Sequence, residues 1–415
     1  MWQKELEAMP REVLVKRQER RLQQLVSRLA QRVAFYGERL AGTEITLDHL
    51  QDLPFTTRAD LRSAYPFGLL AASPSRINRL HATSGTRGKP TLVPYTGRDL
   101  RTWSDICARL LTAAGCRQGD IWFIAAGYGL FTGGLGAHYG AERAGAAVVP
   151  VSSGNTNRLL QLAVDLQPAG IHCIPSYMLR VAEVAAASGI DPRDLGLRYG
   201  SFGGETWSEP MRRRVEELFG LTAFDVYGLS ECFGPGVAYE CAEHDGLHLS
   251  EDHFLAEIID PVTGALLPEG ERGELVVTTL TKEAMPLLRY RTGDLTRFLP
   301  GACACGRTHR RIGRITGRCD DMLTVRGVNL YPSEVERLLL GFPELGPEHR
   351  LVLERTGPMD SLSVDVEGAD PDGAVAEAVQ RGLKEQLGLS AAVRVVAPGT
   401  LPRAEGKAVR VVDHR

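Results

Sequence analysis

Between residues 97 and 228, short apolar runs alternate with helical stretches, and this alternation restricts the fold more than any other feature. The runs are IWFIAA (121–126), AAVVPV (146–151), GIHCIP (170–175), YGSF (199–202) and FDVYG (224–228). Each is of strand length. NRLLQLAVDLQ and SEPMRRRVEELFG lie between them, the latter with Ser208 placed as an N-cap and Gly220 as a stop. Strands separated by helices of this length pair in parallel as βαβ units, so the expected class is α/β.

The flanking regions differ. Residues 1 to 65 predict amphipathic helices with mixed charge on one face. Beyond residue 245, HLSEDHFLAEIID, GELVVTTL and LLRYRTGDLTRFL predict strands parted by Gly and Pro turns, in a small barrel or folded sheet. GRCDD (317–321) marks a composition break, and the remainder has a mixed α+β pattern. The expected domains are therefore a core over 1–318, with its β-rich part at 245–318, and a small α+β domain over 319–415.

A length of 415 residues suffices for two or more buried cores. A net charge of −3 gives no electrostatic reason to expect a nucleic-acid or anionic-membrane partner. No apolar run approaches the ~20 residues of a membrane span. The charged, helix-patterned N-terminus lacks an apolar signal core. Eight scattered cysteines predict reduced thiols in a cytoplasmic protein.

The stretch HATSGTRGKPT (81–91) has two readings. Gly85 and Gly88, with Ser84, Thr86, Arg87 and Lys89, can form an anion cradle of backbone N–H groups, hydroxyls and cations. The same composition also marks an ordinary turn-rich loop. The spacing is not that of nucleotide triphosphatases, whose loop has four residues between its glycines and a hydroxyl after the lysine. Here Pro90 follows Lys89.

Other motifs accompany it in a fixed order. They are FGGET (202–206), YGLSE (227–231), YRTGD (290–294), GRCDDMLTVRGVNLYPSEVE (317–336) and LPRAEGKAVR (401–410). With GYGLFTGGLGAHYGAERAGA, VPVSSGNTNR, YGLSECFGPGVAYEC and LTKEAMPLLRYRTGDLTR, the chain resembles the phenylacetate-CoA ligases of the adenylate-forming superfamily, from FTTRADLR (55–62) to its end. The resemblance implies a two-step reaction: a carboxylate attacks the α-phosphate of ATP, then a thiol displaces AMP.

It also implies roles. Ser84, Gly85, Thr86, Arg87, Gly88 and Lys89 would hold the phosphates, and Glu231 would help hold Mg2+. Gly204, Glu205, Thr206, Asp225, Val226, Tyr227, Gly228, Ser230 and Arg314 would border the nucleotide, and Asp294 would bind the ribose. Lys407 would reach the carboxylate and α-phosphate. Asp320 would be the hinge about which the small domain turns between half-reactions, and Arg326 and Gly327 would enter for thioester formation with CoA. Ala126, Tyr128, Phe131, Gly133, Phe202, Gly203, Cys232 and Phe233 would line the acyl pocket, although aromatic residues in such runs also serve as plain core. A homodimer is implied as well. An acceptor other than CoA, either a carrier-protein thiol or an amine, is the alternative reading.

Four departures from the family pattern stand out. Arg87 replaces a hydroxyl, Ala126 stands where relatives often carry Tyr, GGETW (203–207) replaces GAEPW, and Cys232 and Phe233 follow YGLSE in place of an aliphatic residue and Met. These changes predict an aryl or arylacetic substrate bulkier than phenylacetate, or ring-substituted. Finally, Cys241, His248, Cys303 and Cys305 have the composition of a closed structural zinc site, as in members of this family. The alternative is a set of buried reduced thiols.

Overall fold

The computed structural model describes residues 1–40, 46–83, 90–326, 328–356, 359–370, 373–402 and 410–415. They pack as two units. The first comprises Met1–Cys173, Leu195–Gly204 and Thr222–Ile315, and the second Ile174–Asp194, Glu205–Leu221 and Thr316–Arg415.

The first unit is built on a nine-stranded sheet. Its parallel part runs Ala147–Val149, Ile121–Ile124, Gly170–Cys173, Tyr199–Gly203, Thr222–Leu229. In chain order this is 2-1-3-4-5, a doubly wound arrangement. The helices Thr132–Ala144, Thr156–Leu166, Pro175–Ala187 and Glu209–Phe219 connect successive strands. The expected caps form: Met211 N–H donates to Ser208 Oγ at 3.4 Å, and Gly220 takes φ 67°.

Of the two forms expected for the β-rich region, a small barrel or a folded sheet, its strands take the open-sheet form. Gly234–Glu240, Leu247–Leu249, Arg311–Ile312 and Phe298–Leu299 continue the large sheet with antiparallel pairing. Phe254–Ile259, Gly273–Thr279 and Tyr290–Thr296 form a separate antiparallel ladder. Backbone groups at the sheet edge beyond Thr222–Leu229 need partners, and the hairpin that follows supplies them.

Helix Arg11–Arg32 is pinned by polar ties to the segment that follows Leu247–Leu249. Arg11 pairs with Glu251, and Gln18 Nε2 donates to the Glu251 carbonyl at 2.8 Å. Beneath it Arg109, fully buried, grips Asp252 through two bonds of 2.6 and 2.8 Å. Burial alone would raise Asp252, but His253 and Arg109 hold it well below the usual carboxylate range.

The second unit contains a four-stranded sheet ordered Ala392–Val396, Met359–Gly368, Leu345–Thr356, Val411–Asp413. Leu351, Leu353, Val364 and Val366 form its core with Val335 and Leu339 of helix Pro332–Leu339 and Val379 and Leu383 of helix Ala374–Leu387. On the first of these helices burial pushes Glu336 up to about 7, with Arg410 opposing and the like charges of Glu205 and Glu348 adding to the rise.

A carboxyl raised above its ordinary 4.5 keeps a proton in the folded chain that the unfolded chain has lost. Its contribution to stability therefore declines as pH rises from 4.5 through 7. Glu336→Gln should stabilise this unit by about 1–2 kcal/mol at pH 8 and by almost nothing at pH 4.5. Equal increments in denaturant unfolding at both pH values would show that Glu336 does not titrate in this way.

Candidate functional site

The motifs converge because of strand direction. Ala126–Phe131 follows the carboxyl end of strand Ile121–Ile124, FGGET that of Tyr199–Gly203, and YGLSE that of Thr222–Leu229. In a doubly wound sheet, ligands bind outside the carboxyl ends, where strand order reverses. Here the reversal lies between Ile121–Ile124 and Gly170–Cys173, so the predicted acyl segment leaves the sheet at that point.

Ser84, Gly85, Thr86, Arg87, Gly88 and Lys89 lie outside the described residues. In the sequence they fall between Ile77–Ala82 and Leu92–Thr96, two strands that pair antiparallel. The stem these strands form is firm. Thr83 N–H donates to the Thr91 carbonyl at 3.0 Å, and Thr91 N–H donates to Thr83 Oγ1 at 3.0 Å. The stem also holds the acyl segment, since Ala82 N–H donates to the Leu130 carbonyl at 2.9 Å and His81 Nδ1 approaches the same oxygen at 3.1 Å.

Glu231 sits in the short 3-10 turn after strand Thr222–Leu229 and is only 7% exposed. Tyr290 donates to its Oε1 at 3.3 Å. The turn is tied from several directions. Tyr95 hydroxyl donates to the Ser230 carbonyl at 3.2 Å, Thr132 Oγ1 lies 3.1 Å from Ser230 Oγ, and Lys282 Nζ donates to the Glu231 carbonyl at 2.9 Å.

Tyr227 and Asp294 meet directly, the phenol donating to Oδ2 at 2.7 Å. Burial and the neighbouring carboxylate push the Tyr227 phenol well above its ordinary value, so it stays a donor. Arg314 Nε lies 3.6 Å from Asp225 Oδ2, with Glu240 also within 4.0 Å of its guanidinium. Gly228 permits close strand approach: a Cβ there would stand 1.9 Å from the Gly234 carbonyl oxygen. Gly203 is similarly confined by the Val226 carbonyl at 2.3 Å, and Gly204 has φ 90°. Glu205 accepts from Ser176 N–H at 2.6 Å, and neighbouring Thr206 is partly buried.

The acyl residues divide into two groups. Ala126, Tyr128 and Gly133 are partly exposed, and Phe131 is 47% exposed. A Cβ on Gly133 would lie 3.9 Å from that of Ala126, so two small residues face one another. Tyr128 hydroxyl lies 3.0 Å from His138 Nδ1. By contrast, Phe202, Cys232 and Phe233 are fully buried. Phe233 has φ 74°, and its ring packs against Tyr95 and Phe254. Its ring therefore packs in the hydrophobic core.

Cys241, His248, Cys303 and Cys305 come together, all four donor atoms lying within 4.8 Å of one another. Cys241 Sγ and Cys303 Sγ are 3.7 Å apart, and Cys305 Sγ is 3.4 Å from His248 Nε2. A tetrahedral zinc ion with Zn–S of about 2.3 Å and Zn–N of about 2.0 Å requires separations of about 3.8 and 3.5 Å. The donor set therefore fits zinc. His248 Nδ1 faces the His309 carbonyl at 3.4 Å, leaving Nε2 free to act as ligand.

Comparison with known proteins agrees with this arrangement. The AMP-binding enzyme family model matches residues 43–281, and the AMP-binding enzyme C-terminal domain model matches 327–415. A phenylacetate-coenzyme A ligase of Thermus thermophilus is 47% identical over the full length of both chains. One from Pseudomonas putida is 50% identical over 89% of this chain and 85% of its own. The chain belongs to the phenylacetate-CoA ligase family. It is thus an AMP-forming acid–CoA ligase. A crystal structure of 2-hydroxyisobutyryl-CoA ligase in the postadenylation state with 2-HIB-AMP superposes with a TM-score of 0.92 at 32% identity, over 99% of this ligase and 92% of that chain.

The remaining expected residues of the ligase are peripheral or undescribed. Asp320 is exposed, with Oδ1 accepting from Arg318 Nε at 2.9 Å. Arg326 has φ 51° and donates to the Asp360 carbonyl at 2.8 Å. Gly327 and Lys407 lie outside the described residues. No helix among the described residues is long and apolar enough to cross a membrane.

Sequence reasoning passed over Lys282. It lies inside the quoted run LTKEAMPLLRYRTGD, and its one signal was a lone lysine entering an apolar stretch. Its side chain is fully buried, and desolvation lowers it to about 8, with Asp99, Cys232 and Glu231 pulling back upward.

Proposed function

We propose that the ligase activates an aryl or arylacetic acid larger than phenylacetate and passes it to CoA, releasing pyrophosphate and AMP. The observation that carries this reading is the gathering of Glu231, Tyr227 and the Tyr227–Asp294 bond at the carboxyl end of one parallel strand. Relatives 47 to 50% identical named phenylacetate-coenzyme A ligases support the acid class.

In the first half-reaction a substrate carboxylate approaches a polyanionic nucleotide, so repulsion must be offset where charge builds. Ser84, Thr86 and Lys89 grip the β- and γ-phosphates. The buried Glu231 carboxylate, oriented by Tyr290, suits a hard cation. When bound there, Mg2+ neutralises phosphate charge. The Asp294 carboxylate, steadied on one oxygen by Tyr227, accepts from the ribose hydroxyls. Lys407 places its ammonium between carboxylate and α-phosphate; the carboxylate oxygen bonds to phosphorus and pyrophosphate leaves. In the second half-reaction the CoA sulfur attacks the acyl carbonyl and AMP departs with the C–O electron pair. Asp320 is the proposed pivot between the two steps, with the small domain beginning near residue 319. Zinc at the four-residue cluster is structural.

Substrate size follows from Ala126 and Gly133. The small side chains at Ala126 and Gly133, whose β positions would lie 3.9 Å apart, are what supports an acid larger than phenylacetate. In a steady-state acid panel, a ring-substituted arylacetate should exceed phenylacetate in kcat/KM by about ten-fold. A panel in which phenylacetate ranked first would overturn this assignment of size.

A further inference from the structure

Lys282 is a cation in an unusual place. Its side chain is 0% exposed, and among the described residues no carboxylate lies within 4.0 Å of its ammonium. Among the described residues its ammonium makes one hydrogen bond, to the Glu231 carbonyl at 2.9 Å. Two aromatic faces lie beside it, with Nζ 4.5 Å from the Tyr95 ring centroid and 5.4 Å from that of Phe233. A buried charge without a paired countercharge is costly, and ring quadrupoles offset only part of the cost. A methionine of similar shape would fill the same space without that cost.

The segment bearing Lys282 is itself locked. Asp99, buried in the first turn of helix Gly97–Ala113, accepts from Glu283 N–H at 2.6 Å and from Ala284 N–H at 3.0 Å. Arg28 donates to the Lys282 carbonyl at 2.7 Å. Lys282 is therefore a strut with a fixed base, and its tip holds the turn Ser230–Phe233. That turn needs holding, because Phe233 adopts a left-handed backbone conformation that a non-glycine residue rarely takes. Its ring lies beneath the ammonium that binds the Glu231 carbonyl, so one cation restrains two of the four residues in the turn.

We propose that Lys282 is a positioning residue for adenylation: its buried ammonium, bonded to the Glu231 carbonyl and covered by Tyr95 and Phe233, fixes the direction of the Glu231 carboxylate. This inference rests on the reading of Glu231 as the carboxylate that meets nucleotide-bound Mg2+. It requires that the lysine matter in the first half-reaction far more than in the second, since no pyrophosphate leaves during thioester formation.

The test uses the full-length enzyme with Lys282→Met and Lys282→Gln, and Glu231→Gln as reference. ATP–pyrophosphate exchange is titrated with Mg2+, and CoA thioester formation is followed separately from supplied acyl-adenylate. Binding of MgATP is read independently from the melting temperature shift it produces. Lys282→Met should raise the Mg2+ concentration for half-maximal exchange by about ten-fold and shrink the MgATP-induced shift, leaving thioester formation within about two-fold of the unmodified enzyme. Lys282→Gln, whose amide can still donate to the Glu231 carbonyl, should recover much of the Mg2+ response. It also carries the comparison if the methionine variant does not fold, by showing a smaller shift in the same direction. Equal losses in both half-reactions would reduce Lys282 to a packing role and overturn the inference. An unchanged Mg2+ response in the Lys282 variants beside an altered one in Glu231→Gln would overturn the inference alone. An unchanged response in Glu231→Gln would overturn the reading of Glu231 and the inference with it.

Discussion

Replacing Lys407 by alanine is expected to lower ATP–pyrophosphate exchange by about 10²–10³-fold, the usual cost of removing a charge that stabilises developing negative charge. Thioester formation from supplied acyl-adenylate should change little. The contrast follows from chemistry. Bonding a carboxylate to the α-phosphate concentrates charge between two anions, whereas thiol attack on an acyl-adenylate releases an anion from an activated carbonyl. Lys407 is in the stretch 403–409, outside the described residues, but its two ends are tied to the sheet of the second unit. Leu401 N–H donates to Glu367 Oε1 at 2.7 Å. On the other side Leu351 N–H donates to the Arg410 carbonyl at 2.7 Å, and Arg410 bonds Glu348 at 2.6 Å. Equal losses in both half-reactions for Lys407→Ala would contradict its proposed role.

Removing the zinc proposed for the Cys/His cluster should cost more stability than any single substitution discussed above. Cys303→Ser combined with Cys305→Ser, or prolonged chelation, is expected to lower the melting temperature by about 4 °C, equivalent to about 3–4 kcal/mol in a chain of this size. The loop beyond Cys305 anchors the N-terminus. Arg307 Nε donates to Glu7 Oε2 at 2.8 Å, Thr308 hydroxyl donates to the Met9 carbonyl at 2.6 Å, and the His309 ring bridges the carbonyls of Leu249 and Leu6. Freeing Cys303 and Cys305 therefore loosens the N-terminal residues Leu6, Glu7 and Met9 as well as the loop. Elemental analysis should find one zinc per chain. A zinc-free protein with an unchanged melting temperature would leave the four residues as buried thiols and imidazole.

The parallel half of the sheet was legible because local signals and tertiary structure agreed there. IWFIAA, GIHCIP and YGSF each became a strand, and the Ser208 cap and Gly220 stop formed where read. The β-rich region was less legible, since period-two patterning gives strands but not partners. Nothing local said that Gly234–Glu240 would extend the large sheet by antiparallel pairing. Cys241 and Cys303 show the same limit, being recognisable residue types whose meeting across 62 positions only the fold could supply.

Buried charges were the least legible. Arg109 and Lys282 are the kind of residue that composition assigns to solvent. Their partners, Asp252 and the Glu231 carbonyl, lie 143 and 51 positions away. Phe233 was expected at the acyl pocket because the resemblance places the residues after YGLSE there; no local signal showed that its ring would pack against Tyr95 and Phe254.

The central claim is most directly tested by mass measurement of the products formed from ATP, Mg2+, CoA and an arylacetic acid. The structure and its relatives predict one acyl-CoA thioester and one AMP per acid consumed, with pyrophosphate and no ADP. Release of AMP without a CoA thioester, or formation of ADP, would contradict the assignment of this chain as an AMP-forming acid–CoA ligase.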